Sequence, residues 1–203
     1  MNVLLADDSD SGWFEARLLQ EFGISNEYLS PEKIAELWKE FSKHDVLFTD
    51  YTEGKFEPFL LNLMNPRAIW VEIFNVEEQK PVGVMMMTNI ILGFDCEGHF
   101  AVWDSKARGK EGICLKMMEF CFNRYNLHRM TAKIVPYMKG TIRFAKRLGF
   151  IEEGEMREAV VRSGEWFSLK MFGITRSELE EKLWEQWPHR SQLEDLENSL
   201  VAG

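Results

Sequence analysis

The sequence predicts an α+β fold: a mixed, mainly antiparallel central sheet flanked by helices, with one parallel strand pair that splays apart. Three observations carry this. Residues 68–103 hold three strand-like runs joined by short polar connectors, as antiparallel neighbours require. A helical stretch from Gly112 to Tyr125 then separates two strand-like runs, and a strand–helix–strand passage of that length forms a right-handed crossover between parallel strands. Near the C-terminal end, Arg162-Ser163-Gly164 sits between two further strands as a hairpin turn.

Each element has a local reason. Residues 1–29 mix acidic and apolar side chains without a dominant period and read as an N-terminal arm, with a strand and then a short helix around Trp13 to Phe22. Ser30-Pro31-Glu32 starts a helix: a serine cap, proline at the first helical position and an early carboxylate, followed by Ile34, Leu37, Trp38 and Phe41 on one face. A second helix spans Phe56 to Leu63 and ends at Asn65-Pro66. Strands follow at Ala68–Phe74, Val82–Leu92 and Gly98–Trp103. In the next helix Ile113, Met117, Cys121 and Tyr125 form an apolar stripe, with Cys114 and Cys121 as buried small hydrophobes. Pro136 stops a strand at Arg129–Val135. A helix from Lys139 to Leu148 turns Ile142, Ala145 and Leu148 inward and ends at Gly149. Strands Glu155–Val161 and Glu165–Phe172 flank the hairpin turn, and a helix runs from Thr175 to Trp187. The organisation is thus an arm over 1–29, one domain over 30–187, and an acidic tail over 188–203.

Composition narrows the function. With 203 residues and 45% apolar content the chain can build one sizeable core. Three cysteines without a Cys-x-x-Cys spacing fit a reducing, cytoplasmic compartment, and no apolar stretch approaches the ~20 residues of a membrane span. His44, His99, His128 and His189 lie far apart, so no metal is expected. A net charge of -9 disfavours nucleic acid as a partner. Against that total, residues 104–147 hold eleven Lys or Arg and three acids. Within this block Ala107-Arg108-Gly109-Lys110-Glu111-Gly112-Ile113-Cys114 is a glycine-bearing basic loop that opens a helix. Such a junction offers unpaired N–H donors and the positive end of a helix dipole to a phosphate.

The order of elements, and above all the passage from Thr141-Ile142-Arg143 through Lys146-Arg147-Leu148-Gly149-Phe150 to Glu153-Gly154 and Arg157, resembles the GNAT superfamily of acyl-CoA N-acyltransferases. The likeness is strongest to the group that acetylates protein N-terminal amines, and it covers about 110 residues, Ala68 to Leu179. It implies acetyl-CoA as co-substrate, held by backbone groups of Val102 and Trp103 along the pantetheine arm and by Arg108, Gly109, Lys110, Gly112 and Ile113 around the pyrophosphate. Arg143 joins this coenzyme-binding set. The resemblance also implies an amine acceptor, with a protein N-terminus among the candidates, and strands that splay beyond Val102.

The sequence departs from the family pattern at three places. Glu111 intrudes into the loop, where a carboxylate beside a diphosphate costs binding; Met138 stands where the family has asparagine; and Ala145 stands where many members have a tyrosine acid. Amide formation from a thioester needs a base for the amine and an oxyanion donor. Glu97 and His99 are the candidate bases, with Glu72 in reserve, and a backbone N–H near Val102 or Trp103 is the candidate donor. Trp103, Trp166 and Phe167 are candidates to line an acceptor groove. Two functions stay open: an acetyl-CoA-dependent N-acetyltransferase acting on a peptide or small-molecule amine, or an acyltransferase-fold protein without catalysis that serves as a structural or interaction component with assembly partners, for instance in a viral particle.

Overall fold

The computed structural model describes residues 6–7, 14–20, 29–44, 54–104 and 110–185. Among these, the strands are β1 (Ala6–Asp7), β2 (Phe14–Gln20), β3 (Ile69–Asn75), β4 (Lys80–Ile91), β5 (Asp95–Val102), β6 (Arg129–Ile134), β7 (Ile151–Arg162) and β8 (Glu165–Thr175). The helices are α1 (Pro31–Phe41), α2 (Phe56–Leu63), α3 (Lys110–Arg124), α4 (Lys139–Arg147) and α5 (Arg176–Glu185). All the strands belong to one sheet in the order β1-β2-β3-β4-β5-β6-β8-β7. Only β5 and β6 pair in parallel, joined through α3; every other pair is antiparallel.

The alternation of side chains along the inner strands sends two separate cores to the two faces. On one face Ala68, Trp70 and Val84 meet Leu37, Phe41, Phe59 and Leu63 of α1 and α2. On the other Ile69, Val71, Ile73, Met85, Met87, Met130 and Ile134 meet Ile113, Met117 and Cys121 of α3 and Phe144 and Leu148 of α4. Cys114 and Cys121 are both buried, as their apolar stripe requires.

The cap on α1 forms as read from sequence, with Ser30 Oγ accepting from the Lys33 N–H at 3.2 Å. A cap is worth about 1 kcal/mol, whereas burying Leu37 and Phe41 contributes roughly 1.5–3 kcal/mol each, so packing on the sheet is what holds this helix. An ion pair adds to it. Lys33 Nζ lies 2.5 Å from Oε1 of Glu72, a carboxylate fully buried on β3.

Two expectations are corrected. The helix placed around Trp13 to Phe22 is, over its described part, strand β2: Glu15 and Arg17 pair side by side on one face while Ala16 and Leu18 join the α3 core. A short run of this kind does not distinguish the two periods until β3 supplies a partner. The parallel strands also separate earlier than expected. Their register runs Asp95↔Arg129, Cys96↔Met130, Glu97↔Thr131 and stops there, well before Val102. At the next residue, Gly98, a Cβ would approach Met130 Sδ to 2.7 Å, so any larger residue would force the Met130 side chain to move. Beyond it Phe100 stands edge-on to Phe144 and Phe150, and these rings hold the strands apart.

The outermost strand, β7, borders β8 alone, is interrupted at two places in its register, and is exposed from residue 151 to 158.

Candidate active site

The separation of β5 from β6 opens a slot through the sheet of about 360 Å³. Toward α1 and α2 its wall is Phe41, Trp70, Val84, Met86, Glu97, His99 and Lys133. Toward α3 and α4 it is Phe100, Ala132, Ile134, Met138, Thr141, Phe144 and Ala145. Two candidate bases from the sequence, Glu97 and His99, therefore stand in one cavity, two residues apart on the same face of β5.

Their surroundings set their chemistry. Glu97 Oε2 accepts from Lys133 Nζ at 2.8 Å and from Asn89 Nδ2 at 3.2 Å, and Oε1 lies 3.7 Å from His99 Nε2. Burial alone would raise this carboxyl, but the Lys133 hydrogen bond, the His99 and Lys133 charges and the Asn89 amide outweigh it and hold Glu97 below its ordinary value. His99 Nε2 is hydrogen-bonded to Thr88 Oγ1 at 3.0 Å. Burial holds its imidazole below the usual histidine range against the pull of Glu97, which favours the neutral ring. Asn89, which fixes one side of Glu97, sits in the left-handed backbone region (φ 51) where β4 breaks register.

The other site residues are placed as follows. The Trp103 N–H is bonded to the Val82 carbonyl at 3.0 Å, and its indole N–H to Pro81 O at 3.1 Å, while the ring stacks on His44. Trp103 thus braces β5 against β4 and does not line the slot. By the alternation of an antiparallel ladder, the backbone groups of Phe100 and Val102 turn the other way, toward the gap. Glu72 is buried beneath α1, paired with Lys33, and does not line the slot. Trp166 is 64% exposed at the hairpin, and Phe167 packs edge-on to Tyr137; the aromatics that line the slot toward α1 and α2 are Phe41 and Trp70.

On the opposite face, Lys110, Glu111, Gly112 and Ile113 form the first turn of α3; Arg108 and Gly109 lie outside the described residues. Arg143 is exposed on α4. The carboxylate that the sequence places against a diphosphate is not free: Arg147 Nε donates to Glu111 Oε1 at 2.8 Å and neutralises it. Met138 and Ala145 both line the slot.

Sequence reading missed Lys133, Thr88, Asn89, Trp70, Met86 and Tyr137 as parts of this site. A signal for Lys133 exists: β6 alternates Arg129, Thr131, Lys133 with buried Met130, Ala132, Ile134, and three polar residues on one face of an interior strand need something to meet. Among the described residues no three His, Cys, Asp or Glu side chains gather as a metal site would, and no helix is long and apolar enough to cross a membrane.

A mixed sheet whose single parallel pair is joined by a crossover helix and opens into a slot is the architecture of the GNAT acyl-CoA N-acyltransferases. Comparison with known proteins agrees. No protein-family model matches the chain. It is similar to the SPbeta prophage-derived uncharacterized N-acetyltransferase YokL of Bacillus subtilis (strain 168), 27% identical over 154 residues, 67% of this chain and 87% of that protein. It is also similar to the probable N-acetyltransferase YjcK of the same organism, 26% identical over 106 residues, 50% of this chain but only 59% of that protein. Among solved structures, ribosomal-protein-S5-alanine acetyltransferase from Vibrio fischeri superposes with a TM-score of 0.63 at 16% identity, over 84% of this chain and 96% of that one. Spermidine N-acetyltransferase from Vibrio cholerae in complex with CoA and spermine gives 0.64 at 14% identity, over 82% and 98%. The chain has the GNAT fold, and its sequence relatives are N-acetyltransferases.

Proposed function

We propose that the protein transfers an acetyl group from acetyl-CoA to an amine that is part of a peptide, a protein or a small molecule. The observation that carries this reading is the slot itself, lined from both faces of the sheet, with a carboxylate–imidazole pair on the α1–α2 side and Met138, Thr141, Phe144 and Ala145 at α4 on the other. Donor and acceptor can enter from opposite faces and meet between β5 and β6, which is what acyl transfer without a covalent enzyme intermediate needs.

The residues divide the work by position. The first turn of α3, with Lys110 and the loop residues Arg108 and Gly109, would hold the diphosphate through backbone donors and charge. The pairing of Glu111 with Arg147 removes the repulsion that its charge would otherwise exert. The N–H of Val102 is the candidate to stabilise the oxygen of the reacting carbonyl. The Glu97 carboxylate, ionised and already tied to donors, is suited to bind the incoming ammonium. The neutral His99 imidazole is suited to accept its proton. The phenol in the slot wall is Tyr137, whose hydroxyl accepts from Arg162 Nη1 at 3.1 Å. It takes the place of the tyrosine missing at Ala145 as a proton source for the departing thiolate.

The test is direct. Calorimetry should show acetyl-CoA binding, and free thiol should appear on addition of an amine-bearing peptide or polyamine. Arg108→Glu combined with Lys110→Glu should weaken coenzyme binding by about 2 kcal/mol or more through lost charge-assisted hydrogen bonds. If the parent protein neither binds acetyl-CoA at millimolar concentration nor releases thiol with any amine, catalysis is excluded and the fold serves a structural or interaction role.

A further inference from the structure

Granting acyl transfer through this slot, on which the assignment rests, we propose that the acceptor amine carries an acidic group close to it, as an amino acid or a peptide with acidic leading residues does, and that Lys133 is the residue that recognises it. The charge inventory of the slot leads here. Among the described lining residues Glu97 is the one carboxylate and Lys133 the one permanent cation, and the rest of the acceptor-side wall is the His99 imidazole and the apolar Phe41, Trp70, Val84 and Met86. The two charged groups are not equally placed: the Glu97 side chain is 12% exposed and Lys133 31%, so the cation is the outer member of the pair.

The geometry at Glu97 fixes what an arriving ammonium meets. Oε2 already accepts from both Lys133 Nζ and Asn89 Nδ2, which leaves Oε1, on the His99 side, as the open acceptor. An ammonium seated there puts two cations around one carboxylate in a low-dielectric wall, with no second acid among the described lining residues to offset them. A carboxylate on the substrate, placed against Lys133, restores two positive and two negative charges. A second ammonium does the reverse, adding a third cation beside apolar side chains that cannot solvate it, and like charges so placed repel strongly. A polyamine is therefore the wrong acceptor for this wall, whatever fold it shares with polyamine-binding proteins.

Lys133 acts here through selectivity, so the test compares acceptors. Thiol release from acetyl-CoA is measured with three probes: a peptide beginning with two acidic residues, the same peptide beginning with two lysines, and spermidine. The parent should favour the acidic peptide over both others by about tenfold or more in kcat/KM, the scale of one like-charge contact removed from water. Lys133→Met, which keeps the apolar stem, should level the three rates, and Lys133→Glu should invert the order. Acetyl-CoA affinity, measured by calorimetry, should be unchanged in both variants, which also reports that they are folded. Equal or faster turnover of spermidine or the basic peptide by the parent overturns the proposal while leaving acyl transfer standing, as does an acidic preference that survives both substitutions. If the parent binds no acetyl-CoA and releases no thiol with any probe, acyl transfer fails and the acceptor assignment fails with it.

Discussion

Two lysine–carboxylate pairs lie on the same face of the sheet, one beneath α1 and one in the slot, and they are tuned in opposite directions. Glu72 is fully buried and held by Lys33 at 2.5 Å. Burial dominates there and the carboxyl is pushed above its ordinary value despite Lys33. Glu97 is nearly as enclosed and its lysine is slightly farther, at 2.8 Å, yet its carboxyl is held low. The difference lies in the donors. Glu97 has Asn89 and the His99 ring in addition to lysine, whereas among the described residues Glu72 has its own strand, the guanidinium of Arg17 on the next strand, and a helix lid. A buried acid held through one lysine contact clamps an element in place; one served by several hydrogen-bond donors stays ionised and available.

The sharpest way to break this contrast is to remove the clamp. Lys33→Met leaves the buried Glu72 carboxylate without its ion-pair partner and should cost about 3–5 kcal/mol in urea denaturation. The pH dependence has a definite sign. Because the folded Glu72 carboxyl lies above its unfolded value, stability falls as pH rises through the folded value and is recovered as pH is lowered, and Lys33→Met should enlarge that slope. For Glu97 the sign is reversed: its folded value is depressed, so its contribution is present above the unfolded carboxylate range and lost as pH falls through the folded value. A variant within about 1 kcal/mol of the parent would show that Lys33 is solvated in function and that the pair holds nothing.

The second region should respond in activity and hardly in stability. Glu97→Gln keeps the shape and an acceptor for Lys133, so unfolding should change by no more than about 1.5 kcal/mol, the value of one hydrogen bond. Thiol release should drop by at least about tenfold with acetyl-CoA affinity retained, because the reacting amine is affected and the coenzyme is not. An unfolded or coenzyme-blind variant would place Glu97 with Glu72 among the structural acids.

A smaller effect sharpens the account of the opposite face. Glu111→Gln frees Arg147 from its 2.8 Å pair and removes a negative charge from the first turn of α3, so acetyl-CoA should bind about threefold more tightly, roughly 0.7 kcal/mol. Weaker binding would mean that the pair positions the turn and that its neutral charge is incidental.

How much of this the sequence disclosed follows the range of the interactions. Helix α1 was readable because Ser30, Pro31 and the Ile34–Leu37–Phe41 stripe act within a few residues of one another. The parallel crossover was readable from connection length and the Thr141–Arg157 passage, and Glu97 and His99 could be nominated from their place on a strand. What escaped depends on contacts across the sheet. Strand β2 takes its identity from β3, more than fifty residues away, and the opening point of the slot depends on Gly98 meeting Met130 and Phe100 meeting Phe144. Lys133 looked like one more cation of a basic block until β6 set it 2.8 Å from Glu97. The same contact range explains why Glu111 read as a fault in the loop: Arg147, which neutralises it, is 36 positions along the chain.

The outer strand carries a consequence for how the molecule behaves in a crowd. An edge with both faces wet invites a second copy to extend the sheet, and repeated addition gives ribbons. In β7 the eight exposed positions hold Glu152, Glu153, Glu155, Arg157 and Glu158, and the strand breaks register twice, with Glu158 in the left-handed region. Glu152 is paired with Lys146 and Lys170 and Glu153 with Arg129, so Glu155 and Glu158 carry most of the charge that opposes a second edge, and the irregular backbone opposes it by shape. The charge barrier lasts only while those acids are ionised. Concentrated solutions should therefore stay clear near neutral pH and turn toward aggregation as the medium is acidified into the carboxylate range.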